Sequence, residues 1–133
     1  MPYLFAYGTL KSGHANHAYF IDRLPIGTRN VGNLVLYQHK VYDYPIAVRT
    51  PDSHLAIKGE VFELASSEFS RIRRMESSVG FILHNSTVYL PRLGLIQVTL
   101  SIMPQTRVGR MGKRIPTPST GLIEWKEGTY DGR

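Results

Sequence analysis

The spacing of apolar and polar positions predicts mostly short strands along this chain. The clearest strand covers residues 96–102, where apolar and polar side chains alternate with a period of two, as in a strand with one buried face. Shorter apolar, aromatic and β-branched runs predict strands at residues 3–7, 33–37, 41–48, 56–64 and 87–90. Pro45 interrupts one of these runs, and Gly59 inside another predicts a bulge or a close backbone approach.

One segment has the helical period instead. Ser66 or Ser67 is a suitable N-cap, and Glu68 follows in the first turn, where the positive end of the helix dipole favours a carboxylate. We expect this helix to run to about Glu76 and to stop before the glycine that follows. Residues 15–24 have room for one or two further helical turns.

These elements together indicate an α+β fold. Many strands with few helices fit a single domain built on a bent mixed sheet or small β-barrel with one or two flanking helices. Strict βαβ alternation is absent, which argues against a doubly wound fold. A length of 133 residues fits one domain, and no repeat or linker divides it. We expect a domain over residues 1–103 and an irregular basic extension over 104–133, packed on that domain or trailing from it.

The predicted helix carries a carboxylate on its apolar face. At 100° per residue, Glu76 projects about 20° from Phe69 and about 40° from Ile72, so it shares their stripe. A buried carboxylate is costly as an anion, and the C-terminal end of the helix dipole also disfavours negative charge. Both effects raise the pKa of Glu76 toward neutrality, which suits a general acid/base. Geometry alone leaves an alternative open, in which the helix ends a turn early and Glu76 reaches water or pairs with Arg73.

The first strand ends in a turn with the sequence Tyr7-Gly8-Thr9-Leu10. Glycine allows a sharp bend and a close approach to a ligand, and successive backbone N–H groups in such a turn form a concavity that binds anions. The glycine spacing matches neither a P-loop nor a dinucleotide-binding fingerprint. An ordinary β-turn also explains Gly8, so the turn alone does not decide between these interpretations.

Composition narrows the setting and the chemistry. The chain has no cysteine, which excludes disulfides, a thiol nucleophile and a thiolate zinc site. No apolar run approaches the roughly 18–20 residues of a membrane span, and the N-terminus lacks the basic and apolar regions of a signal peptide. We therefore expect a cytoplasmic protein without a membrane partner.

Charge and histidine spacing favour few other functions. The net charge of +6 can steer anionic ligands, and part of it lies in a basic cluster that alternates with glycines and favours a solvated loop: Arg107, Arg110, Lys113 and Arg114. The cluster does not favour nucleic acid as a partner, since no aromatic residues are interleaved for base stacking. His14 and His17 have a spacing that can ligate a metal on a helix, but a third-ligand motif is missing. The chain also lacks the Gly-x-Ser-x-Gly elbow that would indicate a serine hydrolase.

The N-terminal turn belongs to a longer motif. The segment Phe5–Gly13, FAYGTLKSG, followed by Asn16-His17, resembles the signature of the γ-glutamylcyclotransferase superfamily, which includes γ-glutamylamine cyclotransferases and AIG2-like proteins. The resemblance spans roughly residues 3–102. It continues in three places, which are Tyr44-Pro45, the strand Gly59–Leu64, and Ile72–Glu76, which lines up with the family's Leu-Asp-x-x-Glu.

The resemblance implies a function and a site. It implies release of 5-oxoproline from a γ-glutamyl amine or γ-glutamyl amino acid by intramolecular aminolysis, with no metal and no organic cofactor. It gives Glu76 the role of the family's acid/base glutamate, the residue that the helical projection singles out independently. The residues that it implies for binding the small γ-glutamyl substrate are Tyr7, Gly8, Thr9, Leu10, Tyr44 and Phe81.

The chain departs from the family pattern near the glutamate. Arg73 stands where the family has aspartate, Ser77 stands where a glycine commonly follows the glutamate, and the downstream Tyr-x-Arg is not present cleanly. These departures motivate an alternative, a catalytically inactive member that binds an anionic metabolite or a macromolecular partner in the same pocket.

Overall fold

The computed structural model describes residues 2–128, with only the backbone of Ala18 and Tyr19 described inside the first helix. Within this part of the chain, the strands are β1 Tyr3–Ala6, β2 Gly27–Gly32, β3 Leu34–His39, β4 Pro45–Arg49, β5 Ala56–Glu63, β6 Ile82–Leu90, β7 Gly94–Ile102, β8 Gly112–Arg114 and β9 Leu122–Ile123. The helices are α1 His17–Phe20, α2 Ser66–Ser78 and α3 Gln105–Met111.

The larger sheet is mixed, and its strand order is β2-β5-β1-β7-β6 with β9 added beside β5. β1 lies at its centre, antiparallel to β5 and parallel to β7. A second sheet has the order β4-β3-β8. The expected α+β fold with a bent mixed sheet is confirmed, and the end of β1 is placed in the middle of the molecule.

The larger sheet curls because its two outer strands approach each other. β2 and β6 lie in contact, and the Nε of Arg29 donates a hydrogen bond to the carbonyl of Tyr89 at 2.7 Å. The close approach predicted at Gly59 is also present, since a Cβ there would lie 2.6 Å from the carbonyl oxygen of Ala6. The curled sheet encloses the larger core on one face of β1, and α2 covers the other face.

Alternate residues of β1 enter two different cores. Phe5 packs in the larger core between the sheets, together with Trp125 near the C-terminus. Leu4 and Ala6 face the opposite way and pack with Ile72 of α2 in a smaller core. Both side-chain sets are almost fully buried, which is why this short run reads as uniformly apolar.

Helix α2 differs from its prediction at both ends. The residue before its first turn is Ala65, whose backbone N–H donates to the Glu68 carboxylate at 2.9 Å, so neither Ser66 nor Ser67 is the cap. The helix continues to Ser78, two residues beyond the predicted end. The carboxylate of the first-turn glutamate, which accepts the hydrogen bond from the preceding backbone N–H, thus replaces the expected serine cap.

The structure also differs from the predicted strands in number and in length. The alternation of β2 was missed, β6 is longer than the strand predicted at 87–90, and residues 41–44 form a turn rather than the first half of a strand. The irregular course predicted after Pro104 gives way to α3, β8 and β9. Trp125 is fully buried in the larger core, so residues 104–128 pack on the same domain; residues 129–133 of the predicted extension lie outside the described part.

A membrane span sets requirements on the length and apolar character of a helix. Among residues 2–128, no helix is both long enough and apolar enough to cross a bilayer.

Candidate active site

A cavity of about 300 Å³ opens where β1 ends. It lies between the turn after β1, the end of α2, the end of β7 and the turn before β4. All seven residues predicted for the site line it, namely Tyr7, Gly8, Thr9, Leu10, Tyr44, Glu76 and Phe81. The fold therefore brings together residues that are far apart in the sequence, although this placement does not by itself assign their roles.

The carbonyl groups of the turn are held from outside the cavity. The Gly8 carbonyl accepts hydrogen bonds from the Lys11 backbone N–H at 3.0 Å and from the Nδ1–H of His14 at 2.9 Å. The Leu10 carbonyl accepts from the Nδ1–H of His17 at 2.9 Å. These two histidines, considered above as metal ligands, thus brace the turn. In the described part of the chain, no cluster of three or more metal-ligating side chains is found.

Thr9 is fixed by Asn16 through both its backbone and its side chain. The Asn16 N–H donates to the Thr9 carbonyl and its Nδ2 donates to the Thr9 hydroxyl oxygen, each at 2.9 Å. The backbone N–H groups of Gly8, Thr9 and Leu10, in contrast, donate in no hydrogen bond found among the described residues. Three successive amides at a cavity wall suit an anion or a developing oxyanion.

Gly8 is required by a close approach as well as by the turn. A Cβ at this position would lie 2.7 Å from the Cγ of Pro45 and 2.8 Å from its Cδ, both in a rigid ring. Pro45 is buried and also lines the cavity. The glycine therefore lets the first turn and the turn before β4 meet at the cavity.

Two carboxylates line this cavity, and Glu76 is the less exposed one, the other being Asp43. Glu76 is partly buried near the end of α2, and its Oε1 accepts a hydrogen bond from the Ser101 hydroxyl at 2.6 Å. Burial raises the pKa of Glu76 to about 7, and the hydrogen bond from Ser101 offsets part of that rise. A carboxyl group with this pKa can both accept and donate a proton near neutral pH.

Two parts of the alternative interpretation of Glu76, an early end of the helix and a pair with Arg73, were wrong. Helix α2 does not end a turn early, and Arg73 is exposed. Among the ion pairs of residues 2–128, none involves Glu76. The expected orientation of α2 is confirmed, because Ile72 is buried and Arg71 and Arg74 are exposed.

Tyr7 is joined to Glu76 through Ser101. The Tyr7 hydroxyl donates to the Ser101 carbonyl at 2.6 Å and accepts from the Ala47 N–H at 3.2 Å. Burial, followed by the negative charge of Glu76, raises the pKa of Tyr7 well above its ordinary value. Tyr7 is therefore a neutral phenol whose position is fixed from two strands.

Sequence reasoning missed Ser101 and Tyr42, which also line the cavity. In the alternation of β7, Ser101 falls on the face expected to be exposed, yet it is buried because the strand's end is covered on both faces. Tyr42 was assigned to a strand but lies in the exposed turn before β4. Neither residue has a local sequence signal, since both reach the site through tertiary packing.

Lys11 and the basic cluster lie elsewhere. Lys11, the residue after the turn, does not line the cavity, and its Nζ donates to the Trp125 carbonyl at 2.7 Å. The basic residues of 107–114 are exposed on α3 and β8 and do not line the cavity.

Comparison with known proteins identifies a family. A family model described as gamma-glutamyl cyclotransferase, AIG2-like, matches residues 4–105 of the chain. A search of the curated proteins found no match.

Solved structures share the fold at low sequence identity. An uncharacterised protein from Pyrococcus horikoshii is 24% identical with a TM-score of 0.66, over 92% of this chain and 89% of that chain. An AIG2-like protein from Mus musculus is 16% identical with a TM-score of 0.59, over 98% and 99% of the two chains. A γ-glutamyl cyclotransferase is 12% identical with a TM-score of 0.57, over 87% and 71%. At these identities the likeness shows the fold alone.

Proposed function

Because the chain belongs to the γ-glutamyl cyclotransferase, AIG2-like family, we propose that it releases 5-oxoproline from a γ-glutamyl amine or γ-glutamyl amino acid. The observation that carries the proposal is the Glu76 carboxyl, with a pKa of about 7, in the cavity that begins at the turn after β1. A volume of about 300 Å³ is at the lower end of the range for small-molecule sites and suits a compact substrate.

In this reaction, two protons move from the α-amino nitrogen to the nitrogen of the leaving amine. The substrate's α-ammonium loses one proton to the Glu76 carboxylate, and the resulting amine attacks the γ-carbonyl carbon of the same molecule. Collapse of the tetrahedral intermediate breaks the bond between that carbon and the leaving nitrogen. Glu76 carries both protons in turn from the ring nitrogen to the leaving nitrogen, which gives the lactam and a free ammonium. Folding one molecule back on itself makes the step unimolecular and lowers its entropic cost.

The turn supplies a complementary site for negative charge. The N–H groups of Gly8, Thr9 and Leu10 bind the substrate's α-carboxylate or the oxyanion of the intermediate. The hydroxyl proton of Thr9 is also available, since its oxygen accepts from Asn16. Tyr7 holds the Ser101 carbonyl, and Ser101 in turn orients Glu76. Tyr44 and Phe81 form apolar walls that limit access of water.

Two of the three departures from the family pattern, at Arg73 and Ser77, leave this chemistry in place. Arg73 and Ser77 are both exposed and neither lines the cavity. Their substitution therefore changes the surface of α2 and not the groups assigned to catalysis. This supports an active enzyme over the alternative of a member that only binds.

Release of 5-oxoproline from a panel of γ-glutamyl compounds tests the proposal directly. The wild type is expected to release it, and Glu76→Gln is expected to lose that activity while keeping the fold. Glu63→Gln is the matched control, because Glu63 lies on β5 outside the cavity. No release by a folded wild type from any compound, or full release by Glu76→Gln, would overturn the proposal. Binding of a γ-glutamyl compound without release would favour the inactive alternative.

A further inference from the structure

The cavity has an unusual balance of charge. Asp43 and Glu76 are the only charged side chains among the described residues that line it. No lysine or arginine lines it within that part of the chain, although the whole chain carries 16 of them. The amides of the turn after β1 can bind one carboxylate, that of the γ-glutamyl head. A second carboxylate on the leaving amine finds no cation in this lining and meets two acidic side chains.

Tyrosine rings cover the outer part of the cavity. The rings of Tyr42 and Tyr44 are nearly parallel, with an interplanar angle of 8° and centroids 6.4 Å apart. Tyr44 also packs against Phe81, at a centroid distance of 6.3 Å. Tyr42 is 65% exposed, so its ring lies where the cavity opens to solvent. Aromatic faces of this kind attract alkyl chains and cations and offer nothing to an anion.

His39 holds this aromatic turn in place. Its Nδ1 accepts hydrogen bonds from the backbone N–H groups of Val41 and Tyr42, at 3.0 and 3.1 Å. The backbone N–H of His39 in turn donates to the Tyr44 carbonyl at 3.1 Å. The turn is thus organised before any substrate arrives, which reduces the entropy lost on binding.

The carboxylate of Asp43 is likewise fixed. Its Oδ2 accepts from the Gly128 N–H at 3.0 Å, and its Oδ1 lies 3.4 Å from the amide nitrogen of Gln38, which donates to it. These partners are neutral, so they position the carboxylate without cancelling its charge. Asp43 is exposed, and its effect on a bound charge is therefore moderated by water.

We propose that the turn of residues 39–44 is the subsite for the leaving amine, and that it favours leaving amines with a positively charged far end over those with a carboxylate. The inference rests on the proposed function and deepens it. Glu76 and the amides of the first turn define where the γ-carbonyl reacts, and the leaving amine then extends toward the exposed end of the cavity. There it meets the Tyr42 and Tyr44 rings and the Asp43 carboxylate.

Arg107 offers the clearest rival explanation of specificity. Its guanidinium donates to the Gly80 carbonyl at 3.3 Å, directly before Phe81, yet Arg107 does not line the cavity. A substrate long enough to reach past Phe81 with a carboxylate would meet it. Such a substrate would reverse the preference that the lining itself favours, so the experiment includes this residue.

Three amides with the same γ-glutamyl head and leaving chains of similar length separate these cases: the derivatives of cadaverine, pentylamine and δ-aminovalerate. Their far ends are cationic, neutral and anionic. The measured quantity is kcat/KM for release of 5-oxoproline. The cadaverine derivative is expected to exceed the δ-aminovalerate derivative by about 5-fold or more. A preference for the δ-aminovalerate derivative, or no preference by charge, overturns the subsite.

Two variants with matched controls locate the preference. Asp43→Asn keeps an oxygen for the Gly128 N–H and is expected to lower the cadaverine to pentylamine ratio of kcat/KM by about 3-fold. Tyr42→Leu lowers the ratio in the same direction. Asp22→Asn and Tyr89→Leu are exposed controls outside the cavity and leave the ratio unchanged.

Each contrary result has a distinct meaning. If Asp43→Asn changes all three amides alike, or if Arg107→Gln abolishes a preference for the anionic amide, the subsite is overturned and the cyclotransferase proposal stands. If none of the three amides, nor any other γ-glutamyl compound, yields 5-oxoproline, the proposed function fails and the subsite fails with it.

Discussion

Two cavities adjoin the segment that follows β1, and they treat an ionisable group in opposite ways. In the first, Glu76 accepts one hydrogen bond from Ser101 and has no ion-pair partner among the described residues, and its pKa rises to about 7. The second is a wider cleft of about 620 Å³ with lysines and glutamates along its walls. There, Lys11 donates to the Trp125 carbonyl at 2.7 Å and lies 3.9 Å from the Glu124 carboxylate.

The difference separates a reactive group from a structural one. Burial lowers the pKa of Lys11, but the Glu124 carboxylate opposes that change and the carbonyl of Trp125 uses the ammonium as a donor. Lys11 thereby ties the first turn to the C-terminal segment. Glu76 has no such counter-charge, so its proton is weakly committed and can be exchanged with a substrate. Within the motif after β1, Tyr7 and Gly8 line the first cavity, whereas Lys11, three to four positions later, lines the second.

The largest expected effect tests the role of Glu76 as the reactive group of the first cavity. Glu76→Gln removes the proton carrier and is expected to lower kcat/KM by about 10²–10⁴-fold, the usual contribution of a general acid/base. Steady-state release of 5-oxoproline measures this, with circular dichroism as the check on folding. A loss of less than about 10-fold would place the proton transfer on another group.

The next effect tests the contact between the two turns of the first cavity. In Gly8→Ala, the new methyl group meets the Pro45 ring at 2.7 Å and must displace it, which moves the turn that carries Tyr44. We expect kcat/KM to fall by about 10-fold, mainly through KM, because positioning is lost. Gly109→Ala is the control, since Gly109 has open space around it in α3. Unchanged kinetics in Gly8→Ala would show that the two turns can separate freely.

Lys11→Met tests the structural side of the comparison. The substitution keeps the length of the side chain but leaves the Trp125 carbonyl without its donor. We expect the free energy of unfolding to fall by about 1–3 kcal/mol, the cost of an unsatisfied buried group. Urea denaturation measures the loss. If stability were unchanged while kcat collapsed, Lys11 would belong to the reactive cavity and the contrast with Glu76 would fail.

The same comparison explains what could be predicted from the sequence. Glu76 could be found because the helical period places it beside Ile72, and a carboxylate on an apolar stripe is a local signal. The strand before Gly8 could be found because β1 is apolar on both faces. These features depend on near neighbours in the chain, so periodicity and turn chemistry suffice.

The features that could not be predicted depend on long-range packing. Ser101 reaches Glu76 because β7 pairs in parallel with β1. Nothing in the alternation of β7 indicates that the end of this strand is buried on both faces. The partner of Lys11 is a carbonyl in a segment expected to be irregular. The buried Trp125 anchors that segment, yet a single aromatic residue among glycines and prolines carries no period.

A smaller effect links the reactive group to stability. Because the folded state raises the pKa of Glu76 from 4.5 to about 7, its proton stabilises the fold fully below about pH 4.5, and this contribution is lost as the pH rises through about 7. Glu76→Gln lacks the titration, so its stability relative to the wild type should increase over this range, by on the order of 3 kcal/mol. Thermal unfolding of both proteins at several pH values measures the difference. A constant difference would mean that Glu76 titrates as an ordinary exposed carboxylate.

The smallest effect concerns the single hydrogen bond to Glu76. The Ser101 hydroxyl stabilises the ionised carboxylate, so Ser101→Ala is expected to raise the pKa of Glu76 further. Since the base form is needed to take the first proton, the acid limb of the profile of kcat/KM against pH should move to higher pH. Ser78→Ala removes a hydroxyl that donates to the Met75 carbonyl on the same helix and should leave the limb in place. If both variants moved the limb equally, its position would reflect the stability of α2, and the contrast between an unpaired and a paired charge would lose its kinetic support.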